Sequence, residues 1–222
     1  MITDERTAAF IELMDRGKGE YLDALEEEAL RTDVPIIRRN TQSLLRFLIS
    51  YSKPKRILEI GTAIGFSALL MSDAAPADAH IDTIEKYEKR IPIAKANFED
   101  AAKKKLCKMD VPNRITLLEG DAFEILPTLE GPYDMIFMDA AKGQYINWLP
   151  ELLRLLPEGG LLVSDNILQD GDIIESRFAV KRRDRTIHSR MRDYIHELTH
   201  NEHLETTILP VGDGMTLSTK IK

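Results

Sequence analysis

Cysteine is almost missing from this chain: Cys107 is the only one in 222 residues, so no disulfide can form within it. Aromatic residues are scarce, and no apolar run approaches the roughly 20 residues that a bilayer-spanning helix needs. The opening MITDERTAAF lacks the basic segment, apolar stretch and small-residue cleavage site of a secretory signal. These absences make a soluble cytoplasmic protein the expectation, with no membrane partner. An excess of positive charge is missing too. The net charge of −7 excludes nucleic-acid binding over the whole surface, yet leaves room for a concentrated basic patch. No internal repeat, low-complexity tract or second hydrophobic unit is found, so residues 1–222 read as one domain large enough to bury its own core.

What is present is a change of rhythm. Residues 1–52 read as helices: Phe10, Leu13 and Met14 share one face, Leu22, Leu25 and Ala29 another, and Leu44, Leu45 and Leu48 a third. Pro35 separates the second helix from the third, with Asn40 as the expected N-cap. From residue 53 to 222 short apolar runs alternate with amphipathic stretches, the pattern of repeated βαβ units. Strands are predicted at Arg56–Ile60, His80–Ile84, Arg114–Leu118, Tyr133–Asp139 and Gly160–Asp165, with helices after Gly65, Glu88, Asp121, Gly143 and Asp184. Leu204–Leu209 and Met215–Thr219 flank the turn-rich Pro210–Gly214 and predict an antiparallel hairpin. The fold class is α/β, a doubly wound and mostly parallel sheet.

In such sheets ligands bind beyond the carboxyl ends of the strands, and those ends are polar here. The first strand runs into Glu59-Ile60-Gly61-Thr62-Ala63-Ile64-Gly65, a tight turn before a helix, and the second ends at Glu85, which can accept both hydroxyls of a ribose. The spacing is not that of a dinucleotide fingerprint, and Glu59 would repel a pyrophosphate. A cofactor with an amino group and a sulfonium cation would be attracted instead, which points to S-adenosylmethionine, with Gly120-Asp121-Ala122 at the adenine. The plainer alternative is that these glycines serve a turn and these acids cap helices.

The fourth and fifth strands end in Asp139-Ala140-Ala141-Lys142 and Asp165-Asn166. Two carboxylates and an amide oxygen make a hard oxygen set suited to Mg²⁺ or a similar divalent cation, able to activate a hydroxyl. Lys142 can take that hydroxyl's proton if nearby positive charge and burial depress its own pKa. Helix capping by the acids and a solvated loop lysine are the alternatives. Farther on, Arg177, Lys181, Arg182, Arg183, Arg185, Arg190 and Arg192 form a basic segment opposed only by Asp184, suited to phosphates or else to a helix start or dimer contact. Tyr145 and Trp148 are candidates for stacking on a base, although Trp148 at helical spacing also suits a core. His196, His200 and His203 lack the accompanying acid of a helical zinc motif and read as an exposed face.

ILEIGTAIGFS, TIEKYEKR, GDA, FMDAAKGQY, SDNIL and PVGDG together resemble the metal-dependent O-methyltransferases that include catechol and caffeoyl-CoA O-methyltransferases, over nearly everything from Val34 onward. The resemblance implies a seven-stranded sheet with a reversed last strand. It implies that Ile37, Glu59, Gly61, Ser67, Glu85, Asp121, Ala122 and also Asp139 line the cofactor, that Asp139, Asp165 and Asn166 hold the metal, and that Lys142 is the base, with Asp139 beside it in catalysis. Catechol-methylating members carry a histidine where this chain has Ala140. DAAKGQY and the basic stretch are most similar to the members acting on 5-hydroxyuridine at the tRNA wobble position, whose vicinal oxygens can chelate one cation as a catechol does. That likeness implies tRNA as substrate, bound through Lys181, Arg182, Arg183, Arg185 and Arg190, and the family's habit implies a homodimer. Small catechol-like or phenolic acceptors are the alternative, and a noncatalytic RNA-binding module a further one.

Overall fold

The computed structural model describes residues 5–103 and 111–222, so Cys107 and the first four residues lie outside the described part. The chain runs α1 (Glu5–Leu13), α2 (Glu20–Arg31), α3 (Arg39–Ser52), β1 (Arg56–Ile60), α4 (Phe66–Ala74), β2 (His80–Glu85), α5 (Ile91–Lys103), α6 (Val111–Arg114), β3 (Ile115–Glu119), α7 (Ala122–Ile125), β4 (Met135–Met138), α8 (Tyr145–Leu155), β5 (Leu161–Ser164), α9 (Arg185–His200), β6 (Leu204–Leu209) and β7 (Met215–Lys220), with 3₁₀ turns at Leu126–Thr128, Lys142–Gln144 and Gln169–Ile174. The seven strands lie in the order β3-β2-β1-β4-β5-β7-β6. All neighbours are parallel except at β7, which runs antiparallel to both β5 and β6, so the doubly wound class and the reversed last strand both hold.

The central strands carry unbroken apolar runs because both of their faces are covered. Ile57, Phe137 and Val163 face a core shared with α2, α3 and α4, whereas Leu58, Ile136 and Leu162 face one shared with α8 and α9. Helix α4 is buried nearly all round, which is why its sequence FSALLMSDA shows no polar stripe.

Two local expectations are corrected. Helix α3 begins before Asn40, because extended Arg38 occupies the N-cap and its carbonyl already accepts from Gln42 N–H at 2.9 Å. The helix after Asp121 is a single turn, since Pro127 tightens the chain into a 3₁₀ turn. Phe10, Leu13 and Met14 are all exposed. Among the described residues no helix is long and apolar enough to cross a membrane.

Candidate active site

The carboxyl ends of β1, β2, β3, β4 and β5 open on one cavity of about 630 Å³. Of the residues expected at the cofactor, Gly61, Glu85, Gly120, Ala122 and Asp139 line it. Ile37 is buried beside it, with Pro35 and Ile36 on the wall instead, while Ser67 and Asp121 also stand off the wall. Gly61 has a positive φ of 107°, and a Cβ there would sit 2.1 Å from the Asp139 carbonyl oxygen. That glycine is therefore demanded by the close approach of β4, not by a ligand alone.

Glu85 sits at the tip of β2 with both oxygens oriented by backbone donors: Ala63 N–H to Oε2 at 2.8 Å and Tyr87 N–H to Oε1 at 2.7 Å. Each oxygen keeps further acceptor capacity toward the cavity. Asp121 behaves as a helix cap, accepting from Phe123 N–H at 3.0 Å and pairing with Lys86 at 3.3 Å; the backbone bond and that ammonium hold its carboxyl below the ordinary range. The capping alternative thus describes Asp121, while Gly120 and Ala122 supply the cavity wall beside it.

Glu59 lies wholly buried behind the wall. Thr83 donates its hydroxyl to Oε2, but Oε1 has no hydrogen-bond partner. Burial pushes its pKa up to about 7, partly offset by the nearby hydroxyls of Ser67 and Thr83 and reinforced by the charges of Asp139 and Glu85. An orphaned carboxylate oxygen at this depth suits an ammonium ligand, which is what the amino end of S-adenosylmethionine offers.

Asp139 and Asp165 follow directly on Met138 and Ser164, which are register partners in β4 and β5, so the parallel pairing sets the two acids side by side. Asp165 N–H donates to the Met138 carbonyl at 2.9 Å, and Asn166 bridges the strands, its Nδ2 donating to Asp139 Oδ1 at 2.6 Å. Asn166 has φ 62°, the left-handed region that asparagine tolerates better than most residues, and this turns its side chain back over Asp139. Burial and then the Asp139 charge push Asp165 up to about 7; burial also raises Asp139, with Asn166, Lys142 and Arg90 opposing. Two carboxylates that each disfavour the other's ionisation, with an amide beside them, fit a hard divalent cation. Among the described residues no three His, Cys, Asp or Glu side chains converge on such a centre; the third donor here is an amide.

Lys142 lines the cavity, but its neighbour is a carboxylate rather than the cation expected: Nζ lies 3.2 Å from Asp213 Oδ2, with a third of the lysine side chain exposed. Tyr145 does not face a base. It is fully buried, its hydroxyl accepting from Ala140 N–H at 3.1 Å and lying 3.3 Å from the Asp165 carbonyl, so it braces both acid-bearing strand ends. Trp148 is buried in the core as well, yet lines the cavity. Lys86, Tyr87, Arg90 and Asp213 were not singled out from the sequence. The first three lie within five residues after Glu85, a position that could have flagged them; Asp213 comes from a hairpin turn some 70 residues from Lys142, and only the fold brings them together.

The basic segment abuts the same mouth. Arg190 donates to the Gly143 carbonyl at 3.1 Å, tying α9 to the Lys142 turn. Arg185 holds the Val180 and Phe178 carbonyls at 3.3 Å, and Arg192 holds that of Ile173 at 3.3 Å, so these two clamp the loop before α9. Lys181, Arg182 and Arg183 project into solvent. His196 and His200 stack on an exposed face, ring centroids 3.9 Å apart, as the helix-face reading expected.

A family model described as O-methyltransferase matches residues 14–221. A catechol O-methyltransferase of Niastella koreensis is 33% identical over 140 residues, 61% of this chain and 60% of that protein, so less than two thirds of that relative is spanned. Caffeoyl-CoA O-methyltransferase 2 of Populus trichocarpa is 31% identical over 80% of this chain and 72% of its own. The SAH-bound methyltransferase PaMTH1 of Podospora anserina superimposes with a TM-score of 0.85 at 28% identity, covering 98% of this chain and 95% of its own.

Proposed function

This chain belongs to the O-methyltransferase family, and from that premise we propose that it methylates an acceptor hydroxyl with S-adenosylmethionine as donor. The observation that carries the reading is the meeting of Asp139, Lys142 and Asn166 with Gly61, Glu85 and Gly120 on one cavity. Glu85 orients the ribose, buried Glu59 draws the amino end inward, and Asp139, Asp165 and Asn166 would hold a Mg²⁺-like cation. When bound, that cation supplies Lewis-acid withdrawal that makes the acceptor proton easier to remove. Lys142, which Asp213 aims rather than a neighbouring cation activates, takes that proton in its amine form while the acceptor oxygen attacks the methyl carbon and the carbon–sulfur pair returns to sulfur. Tyr145 braces the strand ends that carry Asp139 and Asp165 from within the core, and Trp148 forms part of the cavity wall, so the groups that align the reactants are held in place.

For the acceptor we propose 5-hydroxyuridine in the tRNA wobble position. Its support is the solvent-facing Lys181, Arg182 and Arg183 beside a mouth to which Arg190 is tied through Gly143. The names of the relatives favour a second reading, a small phenolic or coenzyme A-linked acceptor. With labelled donor and Mg²⁺, transfer to tRNA bearing 5-hydroxyuridine is expected and should cease with chelator. Robust transfer to a catechol or caffeoyl-CoA but none to that tRNA would leave the second reading standing. A homodimer is supported by the exposed, stacked Phe47 and Tyr51 on α3, and sedimentation of the Phe47→Ser variant as monomer is the expected check.

A further inference from the structure

We infer that Asp213 is the positioning residue of the proton-accepting Lys142, an inference that rests on the proposed role of that lysine. The turn carrying Asp213 is wedged in place. A Cβ on Gly212, at φ 61°, would lie 2.3 Å from Thr41 Oγ1, and one on Gly214, at φ 82°, would lie 2.2 Å from Leu168 Cγ. The backbone is pinned as well: Leu168 N–H donates to the Asp213 carbonyl and Ile167 N–H to that of Gly214, both at 3.0 Å. The Asp213 side chain is only 4% exposed, and its Oδ2 stands 3.2 Å from Lys142 Nζ. A rigid turn thus presents a buried carboxylate to the tip of a flexible side chain, while Arg190 fixes the backbone of the same 3₁₀ turn from the other side through Gly143. Lysine has four rotatable bonds and no preferred aim of its own, so its aim must come from a partner.

The chemistry needs such a partner. When the acceptor O–H bond breaks, its proton forms an N–H bond on the Lys142 amine, and the resulting ammonium is stabilised by Asp213. The electron pair left on oxygen forms the new O–CH₃ bond as the C–S pair goes to sulfur. The ammonium then returns its proton to solvent through the exposed third of the side chain. Asp213 therefore does for a lysine what an orienting carboxylate does for a general-base histidine: it aims the base and faces its protonated form with a hydrogen-bonded partner.

The test compares Asp213→Asn, Asp213→Glu, Lys142→Ala and the Lys142→Ala/Asp213→Asn double variant in methyl transfer with Mg²⁺. Asp213→Asn should lower kcat by about 100-fold with KM and donor affinity within about three-fold, and Asp213→Glu should recover part of the loss. The double variant should be no slower than Lys142→Ala within about two-fold, because both changes remove one unit. In cofactor-free, metal-free protein, Asp213→Asn should also raise the acetylation rate of Lys142 by at least about three-fold, since the amine is no longer held by a carboxylate. A wild-type kcat in Asp213→Asn while Lys142→Ala is inactive would overturn this inference alone, as would unchanged acetylation. Full activity of Lys142→Ala would overturn the proposed base and this inference with it.

Discussion

The two halves of the cavity rim handle buried acid in opposite ways. At the tip of β2, Glu85 meets two backbone N–H groups supplied by the protein itself, and at β3 Asp121 caps its own helix. At the tips of β4 and β5, Asp139 and Asp165 stand side by side in a buried setting where each raises the other's cost of ionisation. Glu85 and Asp121 have protein partners that need no ligand, whereas Asp139 and Asp165, although Asn166 donates to both, keep a like-charge repulsion that added positive charge would relieve. Specific binding of a neutral sugar needs acceptors already oriented; activation of a hydroxyl needs an electrostatic deficit that the protein has not filled.

The sharpest way to break this contrast is Asp165→Asn. If Asp165 holds the cation, methyl transfer should fall by about 1000-fold or more, while the metal-free protein should melt higher because a buried like-charge pair is gone. Activity and melting curves measured on the same preparation check both; lower melting together with lost activity would count against the unfilled-deficit account. Glu85→Gln should do the reverse to stability. One amide NH₂ would face a backbone N–H donor, costing about 1–3 kcal/mol in the cofactor-free protein. Donor affinity by calorimetry should weaken by about ten-fold, and Mg²⁺ dependence should be unchanged.

Much of this contrast was legible in the sequence, for a physical reason. Strand tips in a parallel sheet are sites of known consequence, so the acids at Glu85, Asp139 and Asp165 could be placed on one edge from the apolar runs before them. Period and composition also pointed to the longer helices and the hairpin, though not to the short helix α6, whose Arg114 had read as strand. What they could not give was the direction of charge. Asp121 and Asp139 both end strand-to-helix turns, yet one is held by a backbone donor and the other is not, a difference created by register across β4 and β5. Lys142 likewise reads as a lysine near a metal ligand, and only folding brings Asp213 to it. Asn40 was misread because Arg38, a residue with no capping preference, already had the extended backbone that starts a helix.

The basic segment extends the comparison outside the cavity. If Lys181, Arg182 and Arg183 meet phosphates, Arg182→Ala/Arg183→Ala should weaken tRNA binding by about 10- to 100-fold and make the slope of log affinity against log salt shallower by nearly two. Donor affinity should not change. An unaltered slope would remove phosphate contact from these side chains and turn attention to the small-acceptor reading.

The smallest effect concerns Glu59, which lies in the first half but behaves like the second. Its pKa is raised from 4.5 to about 7 in the folded protein, so between those values the folded state binds more protons than the unfolded one. Stability of the cofactor-free protein should therefore fall as pH rises from about 4.5 to 7, since ionising Glu59 in place is unfavourable. If the donor's ammonium reaches the orphaned Oε1, donor binding should offset much of that loss at pH 7.5, by a few degrees in Tm. Glu59→Gln removes the titrating group, so its cofactor-free melting temperature should vary less over the same window and its gain from the donor should be smaller. Melting curves at pH 5, 6 and 7.5 with and without donor decide it: a Glu59→Gln profile parallel to the wild type would show that the buried oxygen behind the cavity wall is not where the amino end binds.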